Sequence, residues 1–191
     1  MAPLIATLIA WAAWVLSWIV AALWADRAER RPARSEEWVY RIITFAGALL
    51  LVFGRQRRHG APDRLWSVGP TGGWALFAII LVGFAFAWWA RIYLGRLWSS
   101  SVTRKAGHRV VDSGPYAIVR HPIYTGLILS IAATAAEQGT ARAVAGLLAF
   151  IVGFWIKARL EERFLSAELG SGDYEAYRRR VPMLIPFGPR R

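Results

Sequence analysis

The chain has 191 residues, of which 56% are hydrophobic and 11 are Trp, with no Cys and a formal charge of +12; its mean hydropathy is +0.34. That apolar content excludes an ordinary soluble domain of this size, and a chain without cysteine has neither a disulfide framework nor a thiolate metal site. The charge does not point to nucleic acid, because the Arg residues stand between apolar runs instead of forming a stripe interleaved with aromatics, so lipid headgroups are the partner that fits.

The first apolar run, Leu4 to Trp24, has no basic region before it and is longer than a signal-peptide core. Trp11, Trp14, Trp18 and Trp24 lie along it, and it is predicted to be a retained transmembrane helix. Trp38 to Phe53 and Gly72 to Ala90 are the second and third predicted spans, the third with Trp88 and Trp89 at an interfacial end. Ile123 to Ala136 and Ala141 to Ile156 are split by the turn-like Glu137, Gln138, Gly139 and Thr140, which predicts a helical hairpin. At ~1.5 Å per residue, Pro122 to Gln138 reaches about 25 Å, slightly short of a hydrocarbon core of ~30 Å, so its two helices are expected to span together, sheltered by neighbours.

With five spans, all Lys and Arg except Arg55, Arg57, Arg58, Arg64 and Arg142 fall on one side of the membrane. The positive-inside rule then places the N-terminus outside, and the third loop and C-terminal tail in the cytoplasm. No internal repeat or low-complexity linker divides the chain. The expected fold is all-α: one membrane-embedded domain over 1–191, with three N-terminal helices in 1–90 and a core in 91–191 that ends in a cytoplasmic C-terminal region.

Arg120 to Gly126 reads RHPIYTG, a charged heptapeptide set directly against the fourth apolar segment. Pro122 keeps His121 out of helical geometry and suits the first position of a helix, which places His121 at a helix mouth. Helix-start amides and the positive end of the dipole favour an anion there, and Arg120 adds a charge able to grip a carboxylate or phosphate in two places. Tyr124 stands close to the same mouth, and Gly126 leaves room for a ligand or another helix. Upstream, Ser113, Gly114, Pro115 and Tyr116 form a turn signal that folds the loop over the mouth. Snorkelling and interfacial anchoring are the simpler roles for Arg, His and Tyr at a boundary.

After the fifth span the helical pattern continues from Lys157 through Glu161, Glu162 and Arg163 to Leu165, leaving an acidic pair at the membrane exit. Ionisable groups at that depth usually have partners or duties, although Lys157 with Glu161 and Arg159 with Glu162 also have the spacing of ordinary helix ion pairs. Beyond them Gly170, Tyr174, Tyr177, the basic run Arg178 to Arg180, and Val181 to Phe187 make an amphipathic tail suited to the membrane surface.

GPYAIVRHPIYTG, then EERFL, then GxxxYxxY from Gly170 to Tyr177, then VPMLIPF, together resemble the isoprenylcysteine carboxyl methyltransferase and phospholipid methyltransferase superfamily of integral membrane enzymes. The resemblance covers about Arg91 to Phe187, including LGRLWS at Leu94 to Ser99; Leu4 to Arg64 carries no motif that maps to it. It implies a cytoplasm-facing S-adenosylmethionine pocket in a multi-pass protein of the cell inner membrane, with no metal. Tyr116, His121, Pro122, Tyr124, Gly126, Glu161, Glu162, Arg163 and Tyr177 would line that pocket, and Arg91, Arg120 and Glu162 would serve the reacting centre. The implied acceptor is lipophilic, a prenylcysteine-like carboxylate first and a phospholipid amine second. An NADPH-dependent reductase of sterol-reductase type and a non-enzymatic membrane component are the other function classes. A polar cofactor and a lipidic acceptor would enter by separate openings, with Arg91 and Arg96 near the acceptor's head.

Overall fold

In the computed structural model, residues 2–23, 34–53, 64–95, 111–169 and 171–189 are described. Among the described residues there are six α-helices: α1 (Pro3–Ala22), α2 (Arg34–Phe53), α3 (Pro70–Leu94), α4 (Pro122–Gln138), α5 (Ala141–Leu169) and α6 (Ser171–Arg180), with a short 3-10 turn at Gly114–Ala117 before α4. Among the described residues the only extended pairing is the isolated bridge between Arg64 and Thr140.

Proline opens three of the helices. Pro3, Pro70 and Pro122 stand in the first turns of α1, α3 and α4, where a missing N–H costs nothing because that donor has no partner inside the helix. Two helices end at left-handed glycines. Gly95 (φ 56°) closes α3, and Gly139 (φ 64°) closes α4 with its N–H on the Ala135 carbonyl, a conformation that costs a residue without a Cβ little. The predicted hairpin is therefore present, and its turn is held from outside: the Leu65 amide donates to the Gly139 carbonyl at 2.7 Å.

Trp24 lies outside the described residues; the five predicted apolar segments are otherwise helical, but among the described residues only α1, α3 and residues Ala141–Ala167 of α5 are long and apolar enough to cross a bilayer by length and composition. The 17 residues of α4 and the charged start of α2 set those two helices apart. They pack on the others, α4 against α3 and α2 against α5. Both seams rest on glycine. A Cβ on Gly126 would stand 2.5 Å from the Gly83 carbonyl oxygen, and one on Gly146 would stand 2.9 Å from the Gly47 carbonyl oxygen, so the backbones approach as closely as helices without side chains permit. Ser130 completes the α3–α4 seam by donating to the Ile80 carbonyl at 3.0 Å. Between α1 and α3, Trp11, Trp14 and Phe84 pack edge-on and stacked. At ~1.5 Å per residue the 29 residues of α5 reach about 44 Å, well beyond a hydrocarbon core, so its last turns carry Glu161 and Glu162 out to the mouth of α4.

Candidate active site

The loop before α4 is shaped by its own sequence. Gly114 takes a positive φ of 57°, the 3-10 turn buries Pro115 and Tyr116, and Pro122 leaves His121 out of helical geometry at the N-cap, with φ −124° and ψ 63°. Arg120 and His121, both buried, therefore point at the one stretch of α5 where two consecutive residues are acidic.

Glu162 is 2% exposed. Its Oε1 accepts the Arg120 Nε–H at 2.7 Å and lies 3.3 Å from His121 Nε2. Glu161 approaches the same imidazole from the other side, with Oε2 3.4 Å from His121 Nδ1, while its Oε1 accepts the Tyr124 hydroxyl at 2.6 Å. Successive helix positions are separated by about 100°, which is how one pair of neighbours reaches both nitrogens of one ring. Burial opposes charge on His121, but the hydrogen bonds and charges of Glu161 and Glu162 outweigh it and raise its pKa above the ordinary imidazole value. In its imidazolium form the ring donates from both nitrogens, one to each carboxylate.

An aromatic stack continues from the ion cluster into the bundle. The rings of His121 and Tyr124 are 5.4 Å apart and nearly parallel, and Tyr124 stacks on Phe154 at 5.1 Å. Lys157 places its ammonium 5.3 Å from the Tyr124 ring and 5.5 Å from that of Tyr40 on α2.

The C-terminal tail closes the cluster from outside. Arg120 donates from Nη1 to the Arg178 carbonyl at 2.9 Å and to the Val181 carbonyl. The amides of Arg120 and His121 donate to the carbonyls of Pro182 and Met183. Tyr177 on α6 donates to the Tyr116 carbonyl at 2.8 Å, and Tyr116 reaches toward the Ala90 carbonyl at 3.5 Å. Burial raises the pKa of both phenols, which keeps them protonated and able to donate. Glu162 Oε2 and Arg178 Nε face each other at 3.5 Å, yet both atoms are buried and neither makes a hydrogen bond among the described residues.

Arg120, His121, Tyr124, Glu161 and Glu162 thus meet in one cluster, with Pro122 setting its geometry and Tyr116 and Tyr177 bracing its outer wall. Three expectations need amending. Gly126 faces α3, where the Gly83 carbonyl and Ala87 occupy the space that a Cβ would need, so its smallness serves helix contact and not a cavity. Arg163 is exposed, since its neighbour Glu162 takes the inward face of α5. Arg91 is 1% exposed and donates to the carbonyls of Gly95 at 2.7 Å and Ala21 at 2.6 Å, so it caps the ends of α3 and α1 where an acceptor headgroup was expected. Arg96 to Ser99, residues 104–110 of the loop before α4 and Gly170 lie outside the described residues.

Sequence reasoning missed Tyr40 and Phe154, which belong to the aromatic stack, and the tail carbonyls that hold Arg120. Lys157 was signalled by its i,i+4 spacing to Glu161, but its seat between two tyrosine rings comes from the packing of α2 on α5.

Residues 75–167 match the model of the isoprenylcysteine carboxyl methyltransferase family. The chain is 31% identical over 147 residues to a cobalt-zinc-cadmium resistance protein of Cupriavidus metallidurans, covering 76% of this chain and 60% of the relative. It is 34% identical over 147 residues to methanethiol S-methyltransferase 2 of Bradyrhizobium diazoefficiens, covering 72% of this chain and 55% of the relative. The chain therefore spans little more than half the length of these relatives. The family match takes in the helix mouth and both acidic residues, and the chain belongs to the membrane methyltransferase superfamily typified by isoprenylcysteine carboxyl methyltransferase.

Proposed function

We propose that this chain is an S-adenosylmethionine-dependent methyltransferase that works at the cluster of Arg120, His121, Tyr124, Glu161 and Glu162 on a small or lipophilic acceptor reaching it from the bilayer. The observation that carries the reading is Glu162 Oε2, a carboxylate oxygen in a residue 2% exposed that faces the Arg178 guanidinium at 3.5 Å and makes no hydrogen bond among the described residues. A buried carboxylate oxygen paired by charge alone still has lone pairs open to a donor. S-adenosylmethionine fits it, because an ammonium, ribose hydroxyls and a sulfonium are the groups that buried carboxylates attract. Glu161 and Glu162 would hold the polar and cationic parts, and the Tyr124 ring would flank them. When bound, the cofactor supplies an electrophilic methyl group.

The chain's own task is then positioning. Arg120 and protonated His121 fix both carboxylates, and the stack through Tyr124 and Phe154 keeps that arrangement rigid. A thiol acceptor is largely protonated at neutral pH and must lose a proton before it attacks.

The favoured acceptor is a thiol. Two arginines capable of binding an acceptor carboxylate, Arg91 and Arg120, are occupied by backbone carbonyls and by Glu162. The relative named for methanethiol agrees with this choice. A prenylcysteine-like carboxylate is the second reading, favoured by the description of the matching family. Five crossings, with α4 and α5 spanning as a pair and the C-terminal region in the cytoplasm, belong to the same proposal and are supported by the Lys and Arg distribution. The test is transfer of a labelled methyl group by the purified protein, with a small alkanethiol and a farnesylated cysteine offered side by side. Label appearing in the thioether supports the proposal. Label in the farnesylcysteine ester alone overturns the thiol assignment, and label in neither overturns the activity.

A further inference from the structure

The tail after α6 runs inward along α4. Its carbonyls at Pro182 and Met183 meet the amides of Arg120 and His121, and the Leu184 carbonyl accepts the Thr125 hydroxyl at 2.6 Å. Leu184 therefore lies level with a residue one turn inside α4, on the hydrocarbon side of the helix mouth. There the chain reverses: the Gly188 amide donates to the Ile185 carbonyl at 2.9 Å, with Pro186 and Phe187 at the corners of the turn. Phe187 takes φ 62°, a left-handed value at a position where a turn of this pattern normally uses glycine. The bulky residue thus adopts an unfavourable backbone, and its side chain is not packed on the protein. Phe187 is 95% exposed and Ile185 is 68% exposed.

Water offers no return for that arrangement. Leu129, one turn beyond Thr125 on the same face of α4, is 40% exposed and extends the apolar surface in the direction the tail is heading. On the other side of the turn, Arg179 and Arg180 end α6 and are exposed. An apolar tip flanked by exposed basic residues is the arrangement that seats a segment at the boundary between acyl chains and anionic headgroups. We propose that the Ile185–Gly188 turn is a re-entrant wedge whose Ile185 and Phe187 side chains insert into phospholipid beside the mouth of α4. Insertion holds the tail in place, and with it the Val181 and Arg178 carbonyls that anchor Arg120. The proposal rests on the tail's geometry and stands whether or not the chain transfers methyl groups.

Because the chain has no cysteine, Phe187→Cys and Arg179→Cys each carry a single thiol that can be labelled with bimane. Each protein is reconstituted in vesicles of phosphatidylcholine and phosphatidylglycerol and quenched by aqueous iodide or by lipids bearing a nitroxide near the headgroup end of the acyl chain. The wedge predicts that bimane at position 187 is quenched by the nitroxide lipid and is several-fold less accessible to iodide than bimane at 179. Iodide quenching as strong at 187 as at 179 would mean that the tip is in water and would overturn the proposal. Protection from both quenchers would mean that protein covers the tip, which overturns it equally.

Discussion

Replacing Glu162 with Gln tests whether the ion cluster holds the mouth of α4 together. The Arg120 and Glu162 side chains are 4% and 3% exposed, with Nε and Oε1 2.7 Å apart. At an effective dielectric near ~20 the attraction at that separation is about 6 kcal/mol. Gln keeps an oxygen for the Arg120 N–H but removes the charge. It also removes the desolvation penalty of the carboxylate, and Arg120 retains the carbonyls of Arg178 and Val181. The net cost should therefore fall near the lower edge of the ~3–5 kcal/mol for leaving one buried charge without its partner. At ~2–4 °C per kcal/mol for a chain of this size, that is a fall in Tm of about 6–12 °C. Thermal unfolding followed by circular dichroism in detergent micelles measures it. Glu175→Gln is the control, because its i,i+3 pair with Arg178 is partly exposed and should be worth no more than ~0.5 kcal/mol. If Glu162→Gln shifts the Tm no further than Glu175→Gln, the cluster does not stabilise this junction and the reasoning fails.

Gly126→Ala should destabilise by about 1–3 kcal/mol or more, since the new methyl meets the Gly83 carbonyl at 2.5 Å and the Ala87 amide at 2.9 Å, backbone atoms that yield only by separating α3 from α4. Gly172→Ala on α6, with nothing within 4 Å, should be neutral or gain up to ~1 kcal/mol; equal melting of the two variants would contradict the close seam. The raised pKa of His121 gives a definite sign to the pH dependence. Its contribution is complete below the unfolded value of ~6.5 and is lost as pH rises through the higher folded value. Wild-type Tm should accordingly fall as pH is raised from about 6.5 through that folded value, and His121→Gln should lack this component; identical profiles would show that the two carboxylates do not hold a proton on the ring.

Local signals carried the sequence reading a long way. Pro122 and Gly139 mark the limits of α4 by backbone chemistry that needs no tertiary knowledge, and the spacing of Glu161 and Glu162 after a long apolar run placed an acidic pair at the end of α5. The bundle decides the rest. Gly126 reads alike as space for a ligand and as space for a helix, and only the approach of Gly83 separates the two. Arg91 could not be recognised as a cap, because one of its carbonyl partners, Ala21, is 70 residues away. Arg163 was placed at the pocket by the family resemblance, whereas the position after Glu162 around the helix faces outward. The tail's seat on α4 likewise depends on backbone hydrogen bonds that no side-chain pattern announces.

The central claim is that the junction of Arg120, His121, Glu161 and Glu162 holds S-adenosylmethionine, and calorimetric titration of the cofactor into the purified protein tests it most directly. Wild-type protein should bind with a single site, His121→Ala and Glu162→Gln should each weaken that binding by about tenfold or more, corresponding to at least ~1.4 kcal/mol, and the surface variant Arg179→Ala should bind as wild type does. No cofactor binding by the wild type, or equal affinity in all four proteins, would contradict the account.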